Sequence, residues 1–304
     1  MVQSVALSDL YAMMGNQVQE NVLLAPYTSA RIGGPADVLV EVRNADELAR
    51  AVRVCWNHGL RYHLLGAGSN LLVSDRGVRG VVILNRARAV EFVEGAEKHV
   101  WAESGAIFSN VARRAAAQGY SGLEWAATVP GTVGGAVYGN AGAFGGDVAH
   151  DLLVVEMLTA AGREWWPPQR MEYGYRTSVL KRGQVRAAIL SAKFNLKYGA
   201  AAEIQARIEE FNRRRKTTQP PGASMGSMFK NPPGDFAGRL IEAAGLKGKR
   251  IGNAEISPVH ANFFVNHGET RAADIKALID LAHETVLEKF GVKLELEVEI
   301  IGEW

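Results

Sequence analysis

Apolar and polar positions along the chain follow two periods, and the switches between them mark out the elements. Residues 36 to 43, ADVLVEVR, alternate with period two and predict a strand. Asn44 then caps a helix over ADELARAVRVCWNHG, in which Leu48, Val52, Cys55 and Trp56 fall at helical spacing and Gly59 closes the element. YHLL (62 to 65), LLVS after GAGSN, and VRGVVIL after the DRG turn predict three more strands. AVEFVE and KHVWAE read as a hairpin around Gly95 and Ala96, followed by a helix from about Gly105 to Gln118 that Gly119 closes. DLLVVEMLTAAG and VRAAILSAKFNL read as strands flanking a turn-rich connection that carries YGYRTS, 173 to 178. A helix through Ile204, Ile208 and Phe211 ends in Arg213, Arg214, Arg215 and Lys216. Pro and Gly then punctuate the chain around Ser227, and a short helix opens at about Asp235. NFFVN reads as a strand, and TRAADIKALIDLAHETVLEKFG as the longest helix, with Ile275, Leu278, Ile279, Ala282, Val286 and Phe290 on its apolar face. In VKLELEVEIIGEW, Val292, Leu294, Leu296, Val298 and Ile300 alternate with Lys293, Glu295, Glu297 and Glu299, the pattern of a half-buried strand.

One stretch obeys neither period. From Glu124 to Val148 the chain reads EWAATVPGTVGGAVYGNAGAFGGDV, with seven glycines within sixteen residues and no Lys or Arg. Glycine is costly wherever a left-handed backbone or close approach is not needed, so this density points to main chain pressed against a large ligand or wound in successive tight turns. Val133, Val137, Tyr138 and Phe144 want burial, which sets the stretch apart from a flexible Gly/Ser linker.

Composition narrows the classes. With 304 residues, 47% hydrophobic and 22% charged, the chain is long enough for two or three lobes of ordinary globular composition. A net charge of +2 is too small to predict a polyanion partner, so no nucleic-acid partner is expected. The RRRK run fits either cations complementing a helix C-terminus or contacts to a phosphate-bearing substrate. The lone Cys55 excludes an intrachain disulfide and a Cys-rich metal cluster, and is expected in a helix core. No run approaches the roughly twenty apolar residues of a membrane span, and MVQSVALSDL lacks a signal-peptide pattern. A cytoplasmic protein that does not bind membrane is expected.

The motifs that are missing matter as much. GAGSN (66 to 70) follows a strand, but Leu71 stands where the third glycine of G-x-G-x-x-G belongs, and strands rather than a helix follow. The loop still offers successive main-chain N–H groups, an anion nest suited to a pyrophosphate. The seven histidines lack zinc-ligand spacing, so no metal is expected, and no G-x-S-x-G elbow or Walker A motif occurs. Two glycine-rich loops of neither standard type suit an extended ligand with an anionic middle, such as an adenine dinucleotide that carries the hard chemistry itself.

At this point the motifs become specific. YTSARIGGPADVLVEV (27 to 42), LGAGSNLLVSDRGVRGVVI (65 to 83), GLEWAATVPGTVGGAVYGNAGAFGGDV (122 to 148), YGYRTS, ASMGSMFKNP (223 to 232) and AGLKGKRIGNAEISPVHANFFVN (244 to 266) run in order through most of the chain. Together they resemble the UDP-N-acetylenolpyruvoylglucosamine reductase family of flavoenzymes (UDP-N-acetylmuramate dehydrogenases), in its compact subtype without an inserted Tyr-bearing loop. The resemblance implies an α+β architecture of the vanillyl-alcohol-oxidase/PCMH type. Two α+β FAD-binding subdomains, at 1–86 and 87–198, would hold the flavin between them. A C-terminal α+β substrate-binding lobe would occupy 199–304, and its last strand, about 292–304, is placed back on the FAD domain in this plan. The composition of the chain changes near Lys197 to Ala202, which is the candidate boundary.

The same resemblance implies non-covalent FAD, since GAGSN has no histidine to attach it, and NADPH as co-substrate. Gly66, Ala67, Gly68, Ser69 and Asn70 would take the pyrophosphate. Pro130, Gly131, Thr132, Gly134, Gly135, Asn140, Gly142 and Ala143 would surround the flavin. Ser227 resembles the family's proton donor, Arg176 its cation facing the developing enolate, and Glu297 its second electrophilic residue. Tyr175, Lys230 and Asn231 are candidate contacts for the UDP-sugar diphosphate. The implied reaction reduces UDP-N-acetylglucosamine enolpyruvate in cytoplasmic peptidoglycan synthesis, with hydride to C3, a proton to C2, and a monomeric enzyme. A flavin oxidase of the same fold, acting on another small hydroxylated substrate, is the competing reading. Position 299 is Glu where many relatives carry Arg, so Glu297 and Glu299 compete as the catalytic carboxylate.

Overall fold

The computed structural model describes residues 2–95 and 97–304; Ala96, at the tip of the expected hairpin, lies outside them. The chain forms two compact units, each gathered from separate segments. Residues up to Gln19, Leu39–Ala67 and Val81–Arg213 make the first; Glu20–Val38, Gly68–Gly80 and Arg214–Trp304 make the second. No helix among the described residues is long and apolar enough to cross a membrane.

The first unit is built on a five-stranded antiparallel sheet in the order Gly162–Trp166, Leu152–Thr159, Ala188–Asn195, His99–Glu103, Val90–Val93. Its central strand, AILSAKFN, is buried at six of eight positions. The helices Ala45–Asn57 and Val133–Gly139 both pack on it, which explains its near-continuous apolar reading. Phe108 lies at the centre of the core, 5.0 Å from the Phe194 ring and 5.6 Å edge-on from Trp125. Asn44 caps Ala45–Asn57 by accepting the Glu47 amide, and Cys55 is fully buried there, its thiol pushed up to about 12 by desolvation.

Two expectations fail in this unit. The connection before YGYRTS contains the strand Gly162–Trp166, an edge strand whose Arg163 and Trp165 face solvent, so its burial gives it little apolar signal. The glycine stretch is not a series of turns alone, because Val133–Gly139 is helical. A glycine-rich sequence has poor helix propensity, and tertiary contacts override it here. Val133 and Gly134 donate to the carbonyls of Ala106 and Ser104, while Thr132 Oγ1 accepts from the Gly135 amide at the N-cap.

The second unit has an antiparallel sheet in the order Ala223–Ser227, Phe263–Asn266, Ala254–Ile256, Arg250–Ile251, covered by the helix Ala272–Phe290. Ile275, Leu278, Ile279, Ala282 and Val286 enter the core as their spacing predicts. Phe290 does not; in the helix's last turn it stays 40% exposed. The Asp75 carboxylate accepts the Ala272 and Ala273 amides, satisfying the first turn from a residue distant in sequence.

The long alternating strand expected at the C-terminus is also broken. Only Glu299–Ile301 forms a strand, parallel to Leu71–Val73. Upstream, Lys230 donates to the Glu295 carbonyl and Glu297 to the Met228 carbonyl. The segment changes partner at the buried Val298, so one alternating pattern serves two pairings.

Ser227 ends a strand with a bulge. Ser224 pairs with Val265 and Ser227 with Phe263, which leaves one extra residue on the Ser227 strand, and Gly226 takes a left-handed φ of 81° within it. Beyond the bulge the chain is held by Asn262, whose buried amide accepts the Phe229 N–H at 2.9 Å and donates to the Phe229 carbonyl at 2.7 Å. Replacing Asn262 by Ala strands two buried main-chain groups, each worth about 1–3 kcal/mol when unpaired. Asn262→Ala is expected to destabilise the protein by about 2–4 kcal/mol, measured as a lowered urea midpoint. An unchanged midpoint would show that the Phe229 backbone finds other partners.

Candidate active site

The GAGSN loop is fixed by contacts around it. A side chain at Gly68, where φ is 59°, would collide with the Tyr27 carbonyl, and the Gly68 carbonyl itself accepts the Ser29 amide. A Cβ on Gly66 would lie 2.5 Å from Thr132 Oγ1. These two glycines are therefore required by the protein's own packing. The loop they fix presents the Ser69 and Asn70 amides, which have no protein acceptor among the described residues. Two consecutive unspent donors on a rigid turn match what a pyrophosphate needs. The Asn70 side chain, by contrast, donates to the Glu297 carbonyl at 2.9 Å.

The glycine helix supplies shape. Its first amides are consumed by Ala106, Ser104 and Thr132, so its N-terminus is no anion site. The Gly131 carbonyl accepts the Phe108 amide, and Pro130 is exposed. Val133, Ala136 and Val137 are buried, while Gly135 and Gly139, one turn apart, present bare backbone. A Cβ on Gly139 would meet no protein atom within 4 Å, and on Gly135 its nearest neighbour would be Thr132 Oγ1 at 3.6 Å. The protein has no steric need for glycine at 139. A face without side chains of this kind leaves room for close approach of a ligand to the main chain.

After the helix, Asn140 turns the chain with a left-handed φ of 47°; its amide accepts from Ala149 N–H at 2.9 Å and donates to the Gly174 carbonyl at 3.0 Å. That second bond grips the YGYRTS loop. Gly174 and Thr177 bridge each other, Ser178 Oγ donates to the Tyr138 carbonyl at 2.6 Å, and Arg176 Nη2 donates to the Gly142 carbonyl at 2.7 Å. A Cβ on Gly142 would sit 2.8 Å from Asp147 Cβ and 3.3 Å from Arg176 Nη1, so Gly142 also makes room for the guanidinium. Ala143 pairs with Gly146 in a small hairpin beside it. Tyr175 is 55% exposed, with Arg176 5.5 Å over its ring. The Tyr173 hydroxyl is buried without a partner among the described residues, and desolvation, then Asp147, drives its pKa up.

In the second unit, Ser227 is half-buried at the bulge. The Glu297 amide meets the Met228 carbonyl at 3.0 Å, one residue from Ser227. Glu299 lies farther along, donating to the Asn70 carbonyl at 3.0 Å. Lys230 Nζ pairs with Glu295, and Asn231 Oδ1 accepts the Ala237 amide at 3.1 Å, starting the helix Ala237–Ala243. Each unit thus groups its own share of the expected residues: Arg176 with the glycine helix in one, Ser227, Glu297, Lys230 and Asn231 with Asn70 in the other. Gly139, Ser178 and Asn262 are supports that the residue reading did not single out. Only tertiary partners distinguish them from neighbouring small or amide residues.

Likeness to known proteins makes the chain an FAD-binding oxidoreductase. Residues 36–166 match the family model described as FAD binding domain, and residues 217–301 match that described as UDP-N-acetylenolpyruvoylglucosamine reductase, C-terminal domain. The UDP-N-acetylenolpyruvoylglucosamine reductase of Chloroflexus aggregans is 46% identical over 93% of this chain and 97% of its own length. That of Clostridium novyi is 40% identical over 100% and 99%. The crystal structure of the reductase from Thermus caldophilus, 39% identical, superposes with a TM-score of 0.80 over 92% of this chain and 98% of that one. The chain belongs to the UDP-N-acetylenolpyruvoylglucosamine reductase family.

Gly139 separates cofactor fit from protein stability. Gly139→Ala is expected to leave the flavin-free protein as stable or up to about 1 kcal/mol more so, through helix propensity. It should also weaken FAD binding at least about tenfold, or about 1.4 kcal/mol, measured by flavin fluorescence titration. Unchanged FAD affinity would remove this face from the cofactor site.

Proposed function

We propose that Ser227, Arg176 and Glu297 carry this family's reaction in the chain. The reaction is NADPH-dependent reduction of UDP-N-acetylglucosamine enolpyruvate to UDP-N-acetylmuramate through FAD, a step of peptidoglycan synthesis. The observation that carries the residue roles is the main-chain register of the second unit. Glu297 is bonded to Met228, beside Ser227, and held by Asn70 of the pyrophosphate loop.

Bound FAD supplies the hydride chemistry, from NADPH to C3 of the enolpyruvyl group. Addition at C3 builds negative charge on C2 and its carboxylate. The Arg176 guanidinium, fixed on the Gly142 carbonyl, and the Glu297 carboxyl stabilise that charge as it develops. Ser227 delivers its hydroxyl proton to C2. A serine is a weak acid, so this transfer depends on the accumulated carbanion charge. The register favours Glu297 over Glu299 for the carboxyl role, because only Glu297 is bonded beside Ser227. Tyr175, Lys230 and Asn231 bind the UDP diphosphate. Binding the diphosphate would exchange the ion pair of the largely buried Lys230 with the exposed Glu295 for one with the substrate.

We assign FAD-binding portions to 1–86 and 87–198 and a substrate lobe to 199–304 on the family plan, although by contacts Glu20–Val38 and Gly68–Gly80 group with Arg214–Trp304. The pairing of Glu299–Ile301 with Leu71–Val73 supports the return of the last strand. The enzyme works as a cytoplasmic monomer, where NADPH and nucleotide sugars are both available.

The test is anaerobic: reduce the bound flavin with NADPH, add the enolpyruvyl sugar, and follow reoxidation at the flavin band. Absence of reoxidation would overturn the assignment. Ser227→Ala is expected to leave reduction by NADPH near normal while slowing reoxidation by about 10²-fold or more; equal slowing of both half-reactions would make Ser227 structural. In the same assay Glu297→Gln should slow reoxidation far more than Glu299→Gln, and the reverse order would reassign the carboxylate.

A further inference from the structure

Arg176 is carried by a loop whose base contains a second strained residue. Glu172 has φ 45° and ψ 50°, a left-handed backbone that a residue with a side chain adopts only when its surroundings impose it. Arg176 itself has φ 55°. Between them, the Gly174–Thr177 bridge makes the tip. The base closes where the Val179 amide meets the Met171 carbonyl at 2.8 Å and where Arg182 reaches back to Glu172. The Arg182 guanidinium donates through Nη1 to the Glu172 carbonyl at 3.0 Å and through Nη2 to Glu172 Oε2 at 2.8 Å, while Nε donates to Gln184 Oε1 at 2.9 Å.

This grip differs from an ordinary surface ion pair. The side chains are 32% and 62% exposed, so their charge attraction alone is screened and weak. One planar fork, however, holds both the carboxylate and the carbonyl of a single residue. That fixes the direction of the Glu172 carbonyl, and with it the left-handed turn that starts the loop. On the other side the loop is held by Asn140 and Ser178. On the strained side the Glu172 amide donates to the Gln169 carbonyl at 3.2 Å, and Arg182 is the side chain that holds the Glu172 carbonyl and carboxylate.

We propose that Arg182 is a positioning residue for the reductive half-step on the substrate: by clamping Glu172 in its left-handed conformation it sets the place of Arg176. The proposal rests on the role given above to Arg176. No part of Arg182 need touch the substrate or the cofactor.

The test uses the holoenzyme in the two anaerobic half-reactions. Arg182→Ala is expected to keep FAD and to be reduced by NADPH at the normal rate, while reoxidation by the enolpyruvyl sugar slows about tenfold, a modest case of the loss that misplacement of a reacting group causes. Arg182→Lys keeps the charge but lacks the fork, and should remain slowed. The decisive variant is Arg182→Ala combined with Glu172→Gly. Glycine takes the left-handed backbone without support, so reoxidation should return to within about twofold of the wild-type rate. A double variant as slow as Arg182→Ala would overturn the clamp, as would normal reoxidation in Arg182→Ala, or loss of FAD and equal slowing of both half-reactions. Arg176→Ala separates the two levels. If it slows reoxidation while Arg182→Ala does not, only the clamp fails; if it leaves reoxidation unchanged, the role of Arg176 fails and the clamp with it.

Discussion

The site in the first unit depends on one side chain, the amide of Asn140. It sits where the glycine helix ends, accepts the Ala149 amide that starts the next turn, and donates to the Gly174 carbonyl of the loop bearing Arg176. Remove that bridge and the bare helix face and the cation lose their common reference. An amide side chain suits the task because it offers a donor and an acceptor on one plane, as a strand's main chain does, without carrying charge into a buried place. Asn140 is 6% exposed, so either half left unpaired would cost what a buried polar group costs, about 1–3 kcal/mol.

The second unit repeats the device. Asn262 presents donor and acceptor to the backbone of Phe229 and so holds the chain that follows Ser227. Asn70 holds Glu297, its side chain on the Glu297 carbonyl and its own carbonyl on the Glu299 amide. Each of the three proposed catalytic groups therefore stands on irregular backbone secured by an asparagine. Ser227 follows a bulge, Arg176 lies in a left-handed loop, and Glu297 lies where an extended segment changes partners. Regular ladders could not aim these side chains, since a strand offers only alternating faces; side-chain amides replace the missing ladder bonds.

Much of this was legible in the chain because it is local. The helix capped by Asn44, the strands at 36–43 and 62–65, and the apolar face of Ala272–Phe290 follow from spacing and caps that need no distant partner. The failures share one cause, tertiary pairing. Val133–Gly139 is a helix because Ala106 and Ser104 receive its first amides. Gly162–Trp166 is a strand because Leu152–Thr159 supplies its ladder. The C-terminal alternation is divided because its successive parts pair with different segments, residues 228–230 and then Leu71–Val73. The catalytic candidates were reached through the resemblance. Period alone left Glu297 and Glu299 on one face; the main chain adds that the Glu297 amide bonds to Met228 and the Glu299 amide to Asn70.

The glycine run also shows why counting glycines is a poor guide to a cofactor site. Gly134 and Gly142 have protein atoms within 3.0 Å of where a Cβ would stand, and Gly146 lies against the Trp125 ring. These positions are glycine because the protein leaves no room, and they would read the same in a structural core. Gly139 has the opposite environment: helical backbone, where Ala is favoured, and open space around the missing Cβ. Neither conformation nor packing within the protein requires glycine at this half-buried helical position. The density of the run therefore has more than one origin: Gly134, Gly142 and Gly146 are fixed by the protein's own packing, and Gly139 is not.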